Sequence, residues 1–166
     1  ADARREGREL IQNYLRNQMI SRLDGLVVTH WHNDHLGGII PVLRLFEVDK
    51  IYETPSTFNS EAWQTYDEIC KKDRIQRISL KAGDVLEWGN ELFVQVLNPE
   101  KPVSPKEYSE VNNMSIALLL RYGKVQTLLA DLRRAGFDPG WEPVPREELP
   151  PYPGDEEDGA GGERST

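Results

Sequence analysis

The chain has 166 residues, enough for one domain with a sizeable core, and its formal net charge of -8 excludes a surface built for broad electrostatic binding of nucleic acid. No apolar run approaches the roughly 18 residues needed to cross a bilayer, and residues 1–9 are rich in charge, so neither a membrane span nor a signal peptide is expected. The lone Cys70 excludes an intrachain disulfide and a cysteine-based zinc cluster, and it is expected to be a small core or helix-surface residue. The composition therefore indicates a soluble domain and leaves its compartment and oligomeric state open.

The first half of the chain alternates helical and strand patterns. The predicted elements, in chain order, are a helix at 5–19, a turn at 21–25, a strand at 26–29, a helix at 35–46, a strand at 48–52 and a helix at 60–72. Pro41 suits only the first turn of a helix, which would make the regular part of the second helix begin later than His35. Ser60 is expected to cap the third helix, with Glu61 in its first turn.

The second half is dominated by strand patterns. The predicted elements are a strand at 75–80, a hairpin of strands 85–88 and 92–97, a polar loop at 99–111, and a hairpin of strands 116–122 and 125–129. Gly123-Lys124 would close the second hairpin. Helices and strands together predict a mixed α/β (α+β) fold.

The composition changes sharply after Asp131. Residues 133–166 are rich in proline and glycine and end in an acidic run. Such a segment cannot bury enough apolar surface to offset its ordering entropy. We therefore predict a folded domain at 1–132 and a mostly disordered tail at 133–166.

All three histidines of the chain lie within six positions, directly after the strand predicted at 26–29. His30, His32, Asp34 and His35 offer imidazole and carboxylate donors, which suit zinc and, to a lesser degree, manganese or iron. The first two can send both imidazoles to one ion, while the last two lie at the helix entrance and can reach a second ion. The alternative is a loop of surface histidines with Asp34 as a helix cap, but four donors in six positions favour a metal site.

The pattern His-x-His-x-Asp-His after a hydrophobic strand resembles the signature of the metallo-β-lactamase fold superfamily. The wider context is similar to one branch, the C-terminal hydrolase domain of the bacterial competence channel protein ComEC, over roughly residues 9–131. The segments that carry this resemblance are 21–30, 36–38, 80–84, 112–123 and 128–131.

The resemblance implies a four-layer αββα sandwich that holds one or two zinc ions at the edge of its sheets. His30 and His32 would serve the first metal, and Asp34 and His35 the second. Asp131 would be the bridging aspartate after a hydrophobic strand, although a strand-end or helix-cap role is its alternative. Asp34 would also orient the attacking water, which makes it the expected catalytic residue.

Several further residues are weaker candidates for the substrate site. Asn112 and Asn113 match a polar loop that lies near the metals in relatives, although alone they would read as turn residues. Trp31 is expected either to wall the substrate cleft or to pack in the core. Ser115 carries a weaker signal, and Arg121 is expected to be a solvated strand residue.

The chain also departs from the relatives. They carry two strands before the first helix and a His-His-Gly-Ser element beyond the bridging aspartate, whereas no histidine follows His35 here. The resemblance therefore predicts a sandwich that is incomplete at both ends.

Three functions stay open. The first is a phosphodiesterase or nuclease acting on DNA or another phosphodiester, which an acidic chain can accept because a bound cation inverts the local field. The second is a truncated, weakly metal-binding and inactive remnant, and the third is a hydrolase of another branch acting on a thioester or lactam. The missing ligand favours the second over the first, and the segment 112–123 favours the first over the third.

Overall fold

The computed structural model describes residues 3–89, 91–101, 105–106 and 108–130, so Asp131 and the predicted tail at 133–166 lie outside the described residues. The helices are α1 (Ala3–Asn17), α2 (Asn33–Leu45), α3 (Glu61–Lys72) and a 3-10 helix at Tyr108–Met114. The strands are β1 (Arg22–Leu23), β2 (Leu26–Val28), β3 (Glu47–Val48), β4 (Lys50–Glu53), β5 (Gln76–Ser79), β6 (Val85–Trp88), β7 (Leu92–Asn98), β8 (Ala117–Tyr122) and β9 (Val125–Leu129).

The first half of the chain builds a parallel sheet in the order β2-β4-β5. Helix α2 leads from β2 to β4 and helix α3 from β4 to β5, which is the crossover that parallel pairing requires. In the register, Val27 lies beside Tyr52 and Tyr52 beside Ile78. The carboxyl ends of β2 and β4 therefore meet at one edge, where polar groups of the two strands can come together.

The second half builds an antiparallel sheet in the order β6-β7-β8-β9. Gly123 closes the β8–β9 hairpin with φ of +54°, a left-handed conformation that glycine adopts without steric cost. Val94 and Val96 of β7 are buried, while their neighbours Phe93 and Gln95 are only partly buried. This alternation assigns one face of the sheet to the core.

The two faces of the parallel sheet pack into two different hydrophobic clusters. Ile51 packs with residues of α2 and α3, whereas the next residue along β4, Tyr52, packs with Val94, Val96 and Leu118 of the antiparallel sheet. The layers are thus helices, parallel sheet and antiparallel sheet. The predicted α/β fold is confirmed, and within the described residues no second helical layer covers the far face of the antiparallel sheet.

Two local predictions were wrong. Helix α2 begins at Asn33 rather than later than His35, and it contains Pro41 in its interior. The proline ring removes one backbone hydrogen bond, but burial of Leu36, Val42 and Leu43 on the core face keeps the helix intact. The segment predicted as a turn at 21–25 contains the short strand β1, which pairs in parallel with β3.

The predicted cap of α3 is confirmed, because the Ser60 side chain accepts a hydrogen bond from the backbone N–H of Trp63 at 3.1 Å. No helix in the part of the chain that the structure describes is both long and apolar enough to cross a lipid bilayer.

Candidate metal centre

The histidine loop, residues 30–35, leads from the carboxyl end of β2 into the first turn of α2. His32 stands at the N-cap position in an extended conformation, and its carbonyl accepts hydrogen bonds from the backbone N–H groups of His35 and Leu36. The donors at 32–35 therefore sit on the tight first turn of a helix, which brings side chains three residues apart onto the same side.

Trp31 anchors this loop in the core. Its side chain has no exposed surface, its Nε1 donates to the Ser56 carbonyl at 2.7 Å, and its ring centroid lies 5.4 Å from that of Tyr66. A fully enclosed indole cannot wall a substrate cleft, so that expectation is corrected: Trp31 is a packing residue that fixes the position of the histidines on either side of it.

The three imidazoles come together. His30 Nε2 lies 3.1 Å from His32 Nδ1, and the ring centroids of His30 and His35 are 3.9 Å apart. His30 and His32 are buried, whereas the side chain of His35 keeps 31% of its exposure. The sequence-predicted donors on this loop are therefore neighbours in space, with His30 innermost.

The first pair has the spacing of two ligands of one ion. Two nitrogens bound at 2.0–2.1 Å to a tetrahedral zinc ion lie about 3.3 Å apart. His30 Nε2 and His32 Nδ1 form a hydrogen bond at 3.1 Å, and this separation is close to the value for two ligands of one ion. The pair fits a metal ion as half of a ligand set. Over the described ranges, no three His, Cys, Asp or Glu side chains form a group that could hold an ion.

The other two predicted donors are nearer to solvent. Asp34 Oδ2 lies 4.0 Å from His35 Nε2, and the Asp34 side chain is 67% exposed. This carboxylate therefore lies beside His35 on the exposed side of the site. Its predicted role in orienting water, the place of His35 on a second metal and the role of Asp131 stay predictions.

Two hydroxyl groups lie beside the imidazoles of His30 and His35. Ser115 Oγ lies 3.0 Å from His30 Nδ1, and Thr29 Oγ1 lies 3.2 Å from His30 Nδ1 and 3.3 Å from His35 Nδ1. Ser115 is buried although it lies 85 positions along the chain from His30. Thr29 was not among the predicted site residues, because a threonine that ends a strand gives no signal of its own.

The polar segment before β8 approaches the site through its last residue. The Asn112 carbonyl accepts a hydrogen bond from the Ser115 backbone N–H, and the Asn113 carbonyl accepts one from Asn98 Nδ2. Asn113 is exposed and Asn112 partly exposed. The contacts of these two asparagines support the turn that presents Ser115, while their predicted role in substrate binding stays a prediction.

The expectation for Arg121 was wrong. Its side chain is buried, with 6% relative exposure, and its guanidinium lies 5.5 Å from the centre of the Phe93 ring. Arg121 and Phe93 are direct partners in the β7–β8 register, so the long side chain lies along the neighbouring ring instead of extending into water.

A buried ionic network that was not predicted from the sequence lies beneath Trp31. Arg77 Nε lies 2.9 Å from Glu53 Oε2 and Arg77 Nη1 lies 2.7 Å from Asp67 Oδ1, while the Tyr66 hydroxyl donates to Glu53. Burial and the adjacent Glu53 carboxylate raise the pKa of Tyr66, so its hydroxyl keeps its proton. The network therefore holds Tyr66 firmly against the ring that anchors the histidine loop.

An apolar cleft of about 440 Å³ opens beside His35. Its walls include Trp88, Leu118 and Leu120, and Thr29 contributes a second polar group at the histidine end. The candidate metal centre is thus bordered on one side by the gap between the two sheets.

Fold and site together define a class of protein: this chain belongs to the metallo-β-lactamase superfamily, whose family model matches residues 2–164. Members of this superfamily bind metal ions, in agreement with the donor chemistry of the histidine loop. The family predicted from the motif is confirmed.

Individual relatives are more distant. The chain is 28% identical over 132 residues to ComE operon protein 3 of Bacillus subtilis (strain 168). The aligned segment covers 78% of this chain and 16% of that protein. This similarity agrees with the branch predicted from the sequence, and the chain spans a small part of that relative's length.

Two solved structures have a partial likeness to the fold. CmlA, a diiron β-hydroxylase from Streptomyces venezuelae, matches with a TM-score of 0.41 and 18% identity over 66% of this chain and 20% of that one. A mutant of CmlA matches with a TM-score of 0.46 and 17% identity over 73% of this chain and 23% of that one. At these values the likeness carries no conclusion about the site.

Proposed function

We propose that this chain is a zinc-dependent hydrolase that acts on phosphodiesters, with DNA as a candidate substrate. The observation that carries the proposal is the 3.1 Å separation of His30 Nε2 and His32 Nδ1 at the carboxyl end of β2. Imidazole donors suit zinc, with manganese and iron as alternatives. The sequence resemblance to the ComEC-like hydrolase domain supports the choice of phosphodiester.

A zinc ion on this site would supply a hydroxide at neutral pH and an electropositive centre for the developing charge on the substrate oxygen. His30 and His32 would hold it from the buried side. Asp34, on the exposed side, would accept a hydrogen bond from the attacking water and orient it, and it would hold the proton that the water loses. His35, 4.0 Å from Asp34, would support that carboxylate or serve a second ion.

The net charge of -8 argues against nucleic-acid binding over a broad surface. Capture of a phosphodiester would therefore depend on the metal centre itself, since the bound cation reverses the sign of the local field. We accordingly expect short or single-stranded substrates to be processed as well as long ones, because few contacts would extend beyond the site.

A second candidate is a weakly metal-binding domain without turnover, with a hydrolase of another branch as a further alternative. One observation favours the second candidate: the residues that the structure describes hold no group of three His, Cys, Asp or Glu side chains that could bind an ion. A site with fewer donors is expected to bind its metal more weakly.

Zinc content and turnover separate these candidates. The purified chain is loaded with zinc, freed of excess metal, analysed for zinc per molecule, and assayed against bis(p-nitrophenyl) phosphate, single-stranded DNA and a chromogenic β-lactam. We expect about one or two zinc ions per chain and turnover of the phosphodiesters, with both lost in His32→Ala. Asn33→Ala, an exposed neighbour in the same loop, is the matched control and should retain them.

Zinc without turnover would support the non-catalytic domain, and turnover of the β-lactam alone would support another branch. Unchanged zinc content in His32→Ala would remove this residue from the site and the proposal with it.

A further inference from the structure

The inner imidazole, His30, has a different environment at each ring nitrogen. Its Nε2 shares a hydrogen bond of 3.1 Å with His32 Nδ1, and a proton on His30 Nδ1 leaves Nε2 as the acceptor of that bond. Its Nδ1 faces two hydroxyl oxygens, Ser115 Oγ at 3.0 Å and Thr29 Oγ1 at 3.2 Å. A neutral imidazole carries one proton, and only the nitrogen without it has a lone pair to give to a metal. The side of the ring on which that proton sits therefore decides whether His30 can be a ligand through Nε2.

We propose that Ser115 is a positioning residue that holds the His30 proton on Nδ1 and so directs the Nε2 lone pair toward the ion shared with His32. This inference rests on the metal site of the proposed function. Metal-bound histidines almost always donate their other N–H to a fixed acceptor, which sets the tautomer and the ring orientation. Here the hydroxyl of Ser115, in the segment just before β8, would provide that acceptor.

The backbone around Ser115 leaves its oxygen little freedom. The Ser115 N–H donates to the Asn112 carbonyl at 3.0 Å, and the Ser115 carbonyl accepts from Asn98 Nδ2 at 2.7 Å. The next residue, Ile116, donates its N–H to the Thr29 carbonyl at 3.0 Å, which joins the residue before β8 to the residue after β2 beside His30. With 5% relative exposure, Ser115 also meets little competition from water.

Thr29 cannot take the same role alone. Its hydroxyl lies 3.2 Å from His30 Nδ1 and 3.3 Å from His35 Nδ1, so it is shared between two imidazoles. It also borders the exposed side of the site, whereas Ser115 is enclosed. We therefore expect Ser115 to be the main hydrogen-bond partner of His30 Nδ1. Thr29→Val should change the tautomer of His35 more than that of His30.

The tautomer of His30 is the readout that a merely structural serine would not change. Long-range ¹H–¹⁵N NMR of the metal-free chain near pH 8 distinguishes the protonated ring nitrogen, and Ser115→Ala is compared with the wild type. We expect the proton on Nδ1 in the wild type and a substantial population on Nε2 in the variant. Ser115→Thr, which keeps the hydroxyl, should restore the wild-type spectrum.

Zinc affinity, measured by competition with a chromogenic chelator, gives a second readout. Ser115→Ala is expected to weaken binding by about 10- to 100-fold, the usual effect of removing such a partner. The matched control is Ser56→Ala, which removes a buried hydroxyl that bonds Thr54 and not the histidines, and it should leave affinity unchanged.

The outcomes separate this inference from the proposed function. A wild-type chain that binds no zinc overturns the proposed function, while the NMR result still decides the role of Ser115. A wild-type His30 protonated on Nε2, or an alanine variant with unchanged tautomer and unchanged affinity, overturns the inference. If Ser115→Ala does not fold, the wild-type tautomer and the threonine variant decide it.

Discussion

Replacement of Arg77 by methionine tests how the buried ionic network supports the candidate site. Arg77 contacts both Glu53 and Asp67, and the Glu53 and Asp67 side chains keep 9% and 12% of their exposure. The methionine keeps the apolar stem of the arginine but removes the cation, so two largely buried carboxylates lose their shared partner.

The size of the effect follows from burial. Removing one partner of a buried ion pair costs about 3–5 kcal/mol, since the remaining charge is left uncompensated. We expect about 3 kcal/mol for Arg77→Met, the lower end, because the Arg77 side chain is itself 24% exposed and Asp67 keeps an ion pair with Lys71 at 2.6 Å. This is a large share of the total for a domain whose unfolding free energy is of the order of 5–15 kcal/mol.

Urea unfolding measured by fluorescence gives this free energy for the wild type, Arg77→Met and the double variant Glu53→Gln, Arg77→Met. The double variant should recover part of the loss, because the neutral amide no longer needs a cation. Arg22→Met is the matched control: its pair with Asp49 is also short, at 2.6 Å, but the Arg22 side chain is 57% exposed, so the change should stay within the scatter of the measurement. A loss below about 1 kcal/mol for Arg77→Met, the size of a surface pair, would refute the reasoning.

Three further predictions concern helix α3. Burial raises the pKa of the Cys70 thiol to about 11, so the folded chain should react slowly with a thiol reagent at pH 8 and rapidly in urea; fast labelling without urea would contradict a core thiol. The hydrogen bond from Lys71 lowers the pKa of Asp67, so the stability that this carboxylate contributes is present above about pH 4 and is lost as the pH falls below it. Asp67→Asn should flatten the acid limb of stability against pH, and an unchanged limb would argue against the assignment. Ser60→Ala removes the cap on the Trp63 N–H and should cost about 1 kcal/mol of unfolding free energy, whereas Ser60→Asp should not; equal losses would point to packing instead.

The sequence predicted those parts of the fold that depend on local interactions. Strand β2 follows from its β-branched run, the hairpin at Gly123 from a turn residue between alternating strands, and the start of α3 from the Ser60 cap. The order of donors at 30–35 was likewise visible, because a single loop carries all of them. In each case the residues that decide the structure are neighbours along the chain.

The remaining features depend on residues that are distant in sequence. From its sequence context Arg121 is predicted to be a solvated strand residue, and only the strand register shows that it lies beside Phe93. Pro41 predicts a helix start, but the burial of neighbouring residues outweighs the hydrogen bond that it removes. Ser115 gave little signal because its partner, His30, lies 85 positions away. No local pattern could have paired these residues.

This division bears on how the candidate metal centre would work. The short motif at 30–35 supplies the candidate donors, but their arrangement depends on groups outside it. Tyr66 packs against Trp31, the residue between the two inner histidines in sequence. Ser115 contacts His30 from the segment that leads into the antiparallel sheet. The bond from the Ile116 N–H to the Thr29 carbonyl connects the two sheets at this point. Since the imidazoles are oriented from both sheets, metal affinity should be a property of the packed sandwich, and a change that loosens the contact between the sheets should weaken the site without touching a ligand.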